Sequence, residues 1–371
     1  MLNVHEMEVN FGPQHPSTHG VLRVLLRIDG ERIIDAKPVI GYLHRGTEKL
    51  FENMPYPQCI PHTDRMDYVA AATNNLGFVE TVEKLMGVTG QIPKRAQIIR
   101  VMLCELQRIS SHLLWLATHA IDIGAMTPFF YCFREREQVL DLFEAYCGAR
   151  LTLNCMRIGG LPYDLPAGWT DDLEAFTSIF DAAVDEYESL LTNNRIWKRR
   201  TIGIGVLDPQ DAIEWGITGP PLRGSGVDWD LRRILPYECY PELEFDVPLG
   251  RNGDTYDRYV VRMAEMRQSN RILQQCIPMV KATPEGDIKA KISRVIRPPE
   301  GEAYHSVESP KGELGYYIVS DGKSQTAYRC KVRPPSFVNL QALPAMAKGH
   351  LVSDLVALIG TIDIVLGEVD R

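Results

Sequence analysis

Residues 4–35 alternate between apolar and polar positions and contain an Asp29-Gly30 turn. A period of two is typical of strands, so this segment predicts antiparallel strands. Residues 11–20 interrupt the alternation with two glycines, two prolines and two histidines. Proline fixes φ and removes a backbone donor, while glycine permits unusual conformations. This stretch is therefore predicted to be the loop that joins the strands.

From about residue 67 to residue 191 the apolar spacing becomes helical. In residues 95–121, apolar side chains recur three and four positions apart, which predicts a long helix. Pro128 stands just ahead of a second predicted helix, in a first turn where proline is tolerated. This helix and the others predicted by the same spacing cover residues 129–147, 170–191, 256–279 and 351–366.

Residues 201–254 are rich in glycine and proline, which predicts loop with short pieces of helix or strand. Gly203-Ile-Gly205 in this region is a poor dinucleotide-binding signal. The third glycine is missing, and Pro209 follows where a helix should open. Near the C-terminus, residues 312–322 and 326–331 predict a β-hairpin.

These elements predict the α+β class, with a helical core flanked by N- and C-terminal antiparallel β structure. The predicted division is an N-terminal β region over 1–65, a helical core over 66–285 and a hairpin with a closing helix over 286–371. We expect these parts to pack so closely that they form one domain. A chain of 371 residues can bury a core of that size.

The charge of the chain narrows the function classes. It carries 40 basic and 48 acidic residues, a net charge of −8, and no basic tail, which argues against nucleic-acid binding.

Residues 1–10 lack the apolar segment of a signal peptide. The apolar stretches 109–121 and 351–366 are short and contain His or Asp, so they predict buried helices rather than membrane spans. We expect a chain that is soluble by itself and able to dock on a membrane protein.

The eight cysteines form no Cys-x-x-Cys pair. A zinc site or an iron–sulfur cluster held by this chain alone usually shows tighter spacing. We therefore expect reduced, mostly buried thiols and no metal ligated by the chain.

Seven motifs follow one another in order along nearly the whole chain. They are GPQHPSTHG (12–20), GYLHRG (41–46), RMDY (65–68), TPFFYCFRERE (127–137), RIGG (157–160), GELGYYIVSDG (312–322) and VDR (369–371). Together they resemble the large, hydrogenase-derived subunit of respiratory complex I, which carries the quinone site. The resemblance implies the fold of the nickel–iron hydrogenase large subunit.

Hydrogenase large subunits hold their metals with four cysteines in two motifs. Laid on residues 65–70, the first motif puts Asp67 and Ala70 at cysteine positions. The second, laid on residues 363–371, puts Val365 and Glu368 there and Arg371 at the position of a histidine. Soft metals of this kind need thiolates, so ligand chemistry excludes hydrogenase activity.

In the family that the chain resembles, the former metal cavity binds a quinone headgroup. Reduction to the quinol consumes two electrons and two protons, so each carbonyl needs a donor that gives up a proton, and His and Tyr suit this. The resemblance implies that His19 and Tyr68 bind the headgroup and that Asp122, behind His19, completes the catalytic set. Without the motifs, Tyr68 would be interpreted as a core tyrosine and Asp122 as a solvent-facing carboxylate at a helix end.

Arg65 matches the arginine that faces the neighbouring iron–sulfur cluster, although a structural ion pair is the alternative interpretation. His15 is expected to shape its loop and, with Arg371, is a weaker site candidate. Many family members carry a histidine just before RIGG, where it couples cluster reduction to protonation. Residues 150–157 lack it. This predicts a cluster of lower, nearly pH-independent potential and a low-potential quinone such as menaquinone.

The resemblance also implies partners, because the chain offers no credible flavin, NAD or cluster site. Electrons are expected from a small iron–sulfur subunit lying across the histidine loop and Arg65. Other peripheral-arm subunits and a membrane subunit that closes the quinone pocket are expected as well. The implied location is the cytoplasmic face of the bacterial membrane, as a peripheral protein. Two alternatives stay open: ferredoxin or a deazaflavin in place of NADH as donor, and a non-catalytic scaffold subunit.

Overall fold

A computed structural model of the chain describes residues 6–371. Val4 and His5, where the predicted N-terminal alternation begins, lie outside the described residues. The strands of the described part are β1 (Met7–Phe11), β2 (Arg23–Asp29), β3 (Arg32–Val39), β4 (Glu300–Ser309), β5 (Gly312–Asp321) and β6 (Arg329–Arg333). They form two three-stranded sheets of order β1-β2-β3 and β4-β5-β6, and every strand pair is antiparallel.

Helices make up most of the rest. In the first half they are α1 (Thr47–Phe51), α2 (Tyr56–Thr63), α3 (Ala71–Met86), α4 (Lys94–Ile123), α5 (Thr127–Cys147) and α6 (Trp169–Leu191). In the second half they are α7 (Arg195–Thr201), α8 (Pro209–Glu214), α9 (Pro220–Gly224), α10 (Leu231–Ile234), α11 (Thr255–Lys281), α12 (Pro335–Leu340), α13 (Leu343–Ala347), α14 (Val352–Ile362) and α15 (Leu366–Asp370). Short 3-10 turns lie at Pro16–Thr18, Thr89–Gln91 and Tyr240–Glu242.

The N-terminal sheet confirms the strands predicted from the alternation. In β2, Val24, Leu26 and Ile28 are buried, whereas Arg27 and Asp29 between and after them are exposed. This face packs on α13 and α14 in one apolar cluster, so the two ends of the chain share a core. The connection between β1 and β2 is the predicted histidine loop, and it lies against α14.

The predicted long helix is α4, which runs from residue 94 to residue 123 and packs against α3, α5, α11 and α14. It begins after Pro93 and ends at Gly124, whose φ of 100° suits glycine. The helices predicted over 129–147, 170–191 and 256–279 are confirmed as α5, α6 and α11 within two residues at each end. Short helices interrupt loop between residues 201 and 254, as predicted.

The predicted C-terminal hairpin is confirmed as β5 and β6, which pair antiparallel. The sequence missed the third strand of this sheet, β4, which pairs with β5 along its whole length. With few apolar residues, β4 gave no strand pattern. The closing helix also stops early. Asp363 adopts the left-handed conformation, with φ 58°, and separates α14 from α15. Short polar side chains tolerate that conformation, so the apolar run hid a helix end.

The structure reports two further properties of the described residues. All eight cysteines are free, and all but Cys147 are buried, which confirms that the thiols are mostly buried. Between residues 6 and 371, no helix has the length and apolarity needed to cross a bilayer.

Candidate functional site

The histidine loop is braced by its own side chains. His15 Nδ1 accepts a hydrogen bond from Ser17 N at 3.2 Å, and the Phe11 and His15 rings pack with centroids 4.4 Å apart. Thr18 Oγ1 donates to the carbonyls of Pro13 at 2.9 Å and His15 at 2.8 Å. These contacts fix the backbone immediately before His19 and give His15 a place in the loop's framework.

His19 closes the 3-10 turn with φ 55°, an uncommon conformation outside glycine. Its side chain is exposed on the surface of this chain. Even so, the surrounding protein desolvates the imidazole and lowers its pKa below the ordinary value. Asp122 opposes this shift, and the positive charge of Lys311 adds to it. Asp122 and Lys311 thus shift the pKa of His19 in opposite directions.

Asp122 lies inside the last turn of α4, whereas the sequence predicted a position just after the helix. Its Oδ1 accepts a hydrogen bond from Ser17 Oγ at 2.9 Å. Desolvation raises the pKa of Asp122, while the Ser17 bond and the charges of His19 and His15 oppose the rise. Asp122 therefore acts on His19 through space while Ser17 holds its carboxylate. Sequence reasoning missed Ser17, although it stands inside the motif.

Tyr68 lies on the short segment between α2 and α3. Asp67 orders this segment, because its Oδ1 accepts from Val69 N at 3.0 Å and its carbonyl accepts from Ala70 N at 3.0 Å. Tyr68 is half-buried. Desolvation raises its pKa, Asp67 raises it further, and Lys311 lowers it.

Within residues 6–371, the Tyr68 hydroxyl and both ring nitrogens of His19 lack a protein hydrogen-bond partner. His19 is exposed and Tyr68 is half-buried, so both groups are open to water or to a ligand. Two donors that the described fold leaves unpaired can instead pair with a ligand that presents two acceptors.

Arg65 is 44% exposed along its side chain. It donates to the Pro61 carbonyl and lies 3.8 Å from Asp64. Asp64 is buried and accepts hydrogen bonds from Asn75 at 2.6 Å and from the backbone N–H of Asn154 at 2.9 Å. Desolvation raises the pKa of Asp64 to about 6. Arg65 thus keeps an exposed guanidinium beside the segment that lacks the family histidine.

The segments that align with the two hydrogenase motifs are neighbours. Gly367 of α15 packs so closely on the Arg65–Met66 backbone that an added Cβ would come within 2.7 Å of the Met66 carbonyl oxygen. The charge of Asp67 acts on Glu368, and desolvation together with that charge raises the pKa of Glu368 to about 8. No group of three or more His, Cys, Asp and Glu side chains suited to a metal ion occurs in the described residues.

The C-terminus is bound by the GYLHRG loop. Asp370 accepts hydrogen bonds from the backbone of Gly41 at 2.8 Å and of Leu43 at 2.7 Å. Arg371 lies with its guanidinium 4.4 Å from the centre of the Phe337 ring. Both terminal residues line a cleft of about 330 Å³ that His19, Tyr68 and Asp122 do not line.

Larger cavities lie elsewhere. One of about 640 Å³ lies between α5 and α6, one of about 450 Å³ lies between α6 and α11, and one of about 420 Å³ lies between the start of α6 and the end of α11. None of these is lined by His19, Tyr68 or Asp122. His19 is exposed and Tyr68 and Asp122 are half-buried, so the candidate site opens onto the surface of this chain.

Comparison with known proteins decides the family. A profile of the family described as "Respiratory-chain NADH dehydrogenase, 49 Kd subunit" matches residues 122–371, more than half of the chain. The chain belongs to this family. This confirms the resemblance carried by the seven motifs.

Full-length relatives, each a D-type subunit of NADH-quinone oxidoreductase, agree with the family assignment. The chain is 58% identical to the D 2 subunit of Solibacter usitatus, over 100% of this chain and 98% of the relative. It is 53% identical to the D subunit of Geotalea uraniireducens, over 100% of both chains. It is 52% identical to the D subunit of Geobacter sulfurreducens, again over 100% of both. The seven motifs thus stand in a chain of the relatives' own length.

Proposed function

We propose that this chain is a subunit of a proton-translocating NADH:quinone oxidoreductase and that it forms the pocket in which quinone is reduced. It acts only within the complex. The full-length relatives, all named as D subunits of NADH-quinone oxidoreductase, support the complex. The observation that carries the site is the pair of unpartnered donors, His19 and Tyr68, both within reach of the charge of Lys311.

The headgroup chemistry follows from these donors. A quinone presents two carbonyl oxygens, so His19 and Tyr68 each bind one of them. As two electrons arrive, each residue gives one proton, and His19 with Asp122 forms the local proton source. Asp122 favours protonated His19 because opposite charges attract. Asp122→Asn is expected to slow quinone reduction and to change its pH profile, and an unaltered rate and profile would contradict this role.

The open surface of the site implies that other chains complete it. We place a small iron–sulfur subunit across the histidine loop and Arg65, whose exposed guanidinium favours the reduced state of a nearby cluster. A membrane subunit closes the pocket around the apolar quinone tail, other peripheral-arm subunits complete the assembly, and the complex faces the cytoplasm. The shared ancestry we propose with the nickel–iron hydrogenase large subunit accounts for the meeting of the two motif segments at Gly367.

The absence of a histidine in residues 150–157 supports a low-potential quinone such as menaquinone. Without that titrating group near Arg65, the cluster potential is expected to be nearly independent of pH. A redox titration of the cluster in the intact complex at several pH values tests this. A potential that moves steeply with pH would refute it.

The decisive experiment is Tyr68→Phe in the intact, purified complex. Two rates are measured: NADH with an artificial acceptor, and NADH with quinone. The first is expected to survive, and the second to fall by about a hundredfold or more, the usual contribution of a general acid. Tyr328→Phe, which removes a hydroxyl from a side chain that is 73% exposed, is the matched control.

The other outcomes separate the alternatives. Retained quinone reduction in Tyr68→Phe would make Tyr68 a core tyrosine and overturn the site. Retained activity after His19→Ala combined with Tyr68→Phe would support a scaffold subunit. If NADH drives neither reaction in the unmutated complex, ferredoxin or a deazaflavin is the donor.

A further inference from the structure

The turn between β4 and β5 is buried, although it joins two strands of a hairpin. Ser309 and Lys311 are 0% and 1% exposed. Connecting turns usually run over the surface, and lysine is almost never fully buried unless it is paired. Here the turn projects into the core and carries an ammonium group with it.

Polar groups from three parts of the chain surround the Lys311 ammonium. Its Nζ lies 3.0 Å from Ser111 Oγ of α4, 3.1 Å from Asp67 before α3 and 3.9 Å from Asp363 after α14. Asn339 of α12 donates to the Lys311 carbonyl at 3.0 Å. The side chain thus has little freedom to move.

The same groups keep Lys311 charged. Burial alone would lower its pKa, but Asp363, Asp67 and Glu368 outweigh burial and raise the pKa above its ordinary value. The charge of Arg262 in α11 acts in turn on Asp363 and lowers its pKa, against the larger effect of burial. Lys311 is therefore a permanent cation under physiological conditions.

The Lys311 ammonium lies 3.1 Å from Asp67, the residue next to Tyr68, and its charge acts on both Tyr68 and His19. Asp122 acts on His19, and Asp67 acts on Tyr68, each with the opposite sign to Lys311. The charge of one ammonium group therefore acts on both donors of the proposed quinone site.

We propose that Lys311 is a positioning residue of the quinone site, whose fixed positive charge favours the products of proton release at His19 and Tyr68. The inference rests on the proposed function. It assigns Lys311 no contact with the headgroup. Its effect passes through the two residues that make that contact.

The proton and electron count is simple. The quinone gains two electrons from the iron–sulfur cluster of the partner subunit, one proton from the His19 imidazolium and one proton from the Tyr68 hydroxyl. A neutral imidazole and a phenolate remain. The positive charge of Lys311 stabilises the phenolate and makes the imidazolium a stronger acid. Lys311 keeps its own proton throughout.

The test compares Lys311→Met with Lys311→Arg in the intact complex. Loss of the charge makes both donors weaker acids. The alkaline limb of the pH profile for quinone reduction should therefore move to higher pH by about one unit, and the plateau rate should fall by about tenfold. The KM for quinone should change little. Lys311→Arg should restore the limb, and the rate with an artificial acceptor should stay unchanged in both.

A second variant covers the case in which Lys311→Met does not assemble. Lys311→Met with Asp67→Asn removes one buried charge of each sign. At Tyr68 the two losses oppose each other, whereas at His19 only the loss of Lys311 acts. The limb should still move to higher pH. A limb that stays in place in either variant overturns the proposal, since a structural role would lower the rate without moving it.

Failure of this inference is distinguishable from failure of the proposed function. If Tyr68→Phe abolishes quinone reduction while the limb of Lys311→Met is unmoved, only the role of Lys311 is wrong. If Tyr68→Phe retains quinone reduction, the assignment of the quinone site and the role of Lys311 are both wrong.

Discussion

Ser17→Ala is the most informative single change at the histidine loop. It removes the hydroxyl that donates to Asp122 at 2.9 Å and leaves every residue proposed to contact quinone in place. A hydrogen bond to a charged group contributes roughly 1.5–3 kcal/mol, and one pKa unit corresponds to about 1.4 kcal/mol. Asp122 is only partly buried, so water replaces part of the lost bond. The pKa of Asp122 should therefore rise by about one unit.

The loss of the Ser17 hydrogen bond also changes the pKa of His19. Asp122 supports the protonated imidazole, and Ser17 holds its carboxylate in place. A carboxylate released from Ser17 can turn towards water, supports the imidazolium less and so lowers the pKa of His19 further. If protonated His19 is a donor, the alkaline limb of the pH profile for quinone reduction moves to lower pH. On that side of the profile, the rate should fall by about two- to tenfold, while the acidic side changes little.

The assay is the steady-state rate of quinone reduction by the intact complex across pH, with the artificial-acceptor rate as a measure of assembly. Ser178→Ala is the matched control, because Ser178 is exposed and bonds only the Ala175 carbonyl in the structure. A profile of Ser17→Ala that matches the unmutated one, in a complex where Asp122→Asn does shift it, would refute the argument. Ser17 would then be a loop residue without effect on the carboxylate.

Two further changes test the packing and the buried ion pairs of the core. Gly360→Ala puts a Cβ 2.1 Å from His119 Nδ1 and should lower the free energy of unfolding by about 1–3 kcal/mol. The measurement is the thermal-inactivation temperature, which should fall. Gly90→Ala, with open space around the added Cβ, is the control and should leave it unchanged. Glu105→Gln breaks a buried ion pair with Arg232. Because burial is outweighed by the neighbouring arginines, the pKa of Glu105 falls to about 2. The lowered pKa stabilises the fold by about 3 kcal/mol above pH 4.5, and this contribution is lost as the pH falls towards 2. The free energy of unfolding lost in Glu105→Gln, measured by denaturant, should therefore become smaller between pH 4.5 and pH 2. A loss that does not depend on pH would contradict this.

Most of the architecture could be predicted because its signals are local. The apolar spacing of α4 and the alternation in β2 bury one face of each element, and both follow directly from the periods of helix and strand. The missed elements lack such signals. The strand β4 carries few apolar residues and owes its conformation to pairing with β5. The break at Asp363 depends on a backbone conformation that the apolar run around it conceals.

Some residues of the candidate site could be predicted from the sequence, and others could not. His19, Tyr68 and Asp122 stand in or near recognisable motifs, so the resemblance could name them. Ser17 stood in the same motif and was overlooked, because a serine among prolines is usually interpreted as a turn residue. Its contact with α4 joins positions far apart in the chain, which no spacing rule predicts.

Lys311 could not be found from sequence for a physical reason. A lysine beside proline and glycine in a hairpin turn has the composition of an exposed connection, and only the tertiary packing against Ser111 and Asp363 reveals that it is buried. Burial also decides its effect, since a charge at the surface would be screened by water and salt. The negative charge of Asp122 and the positive charge of Lys311 act on His19 with opposite signs. Ser17→Ala and Lys311→Met should therefore move the same alkaline limb in opposite directions, which generic damage to the pocket cannot do.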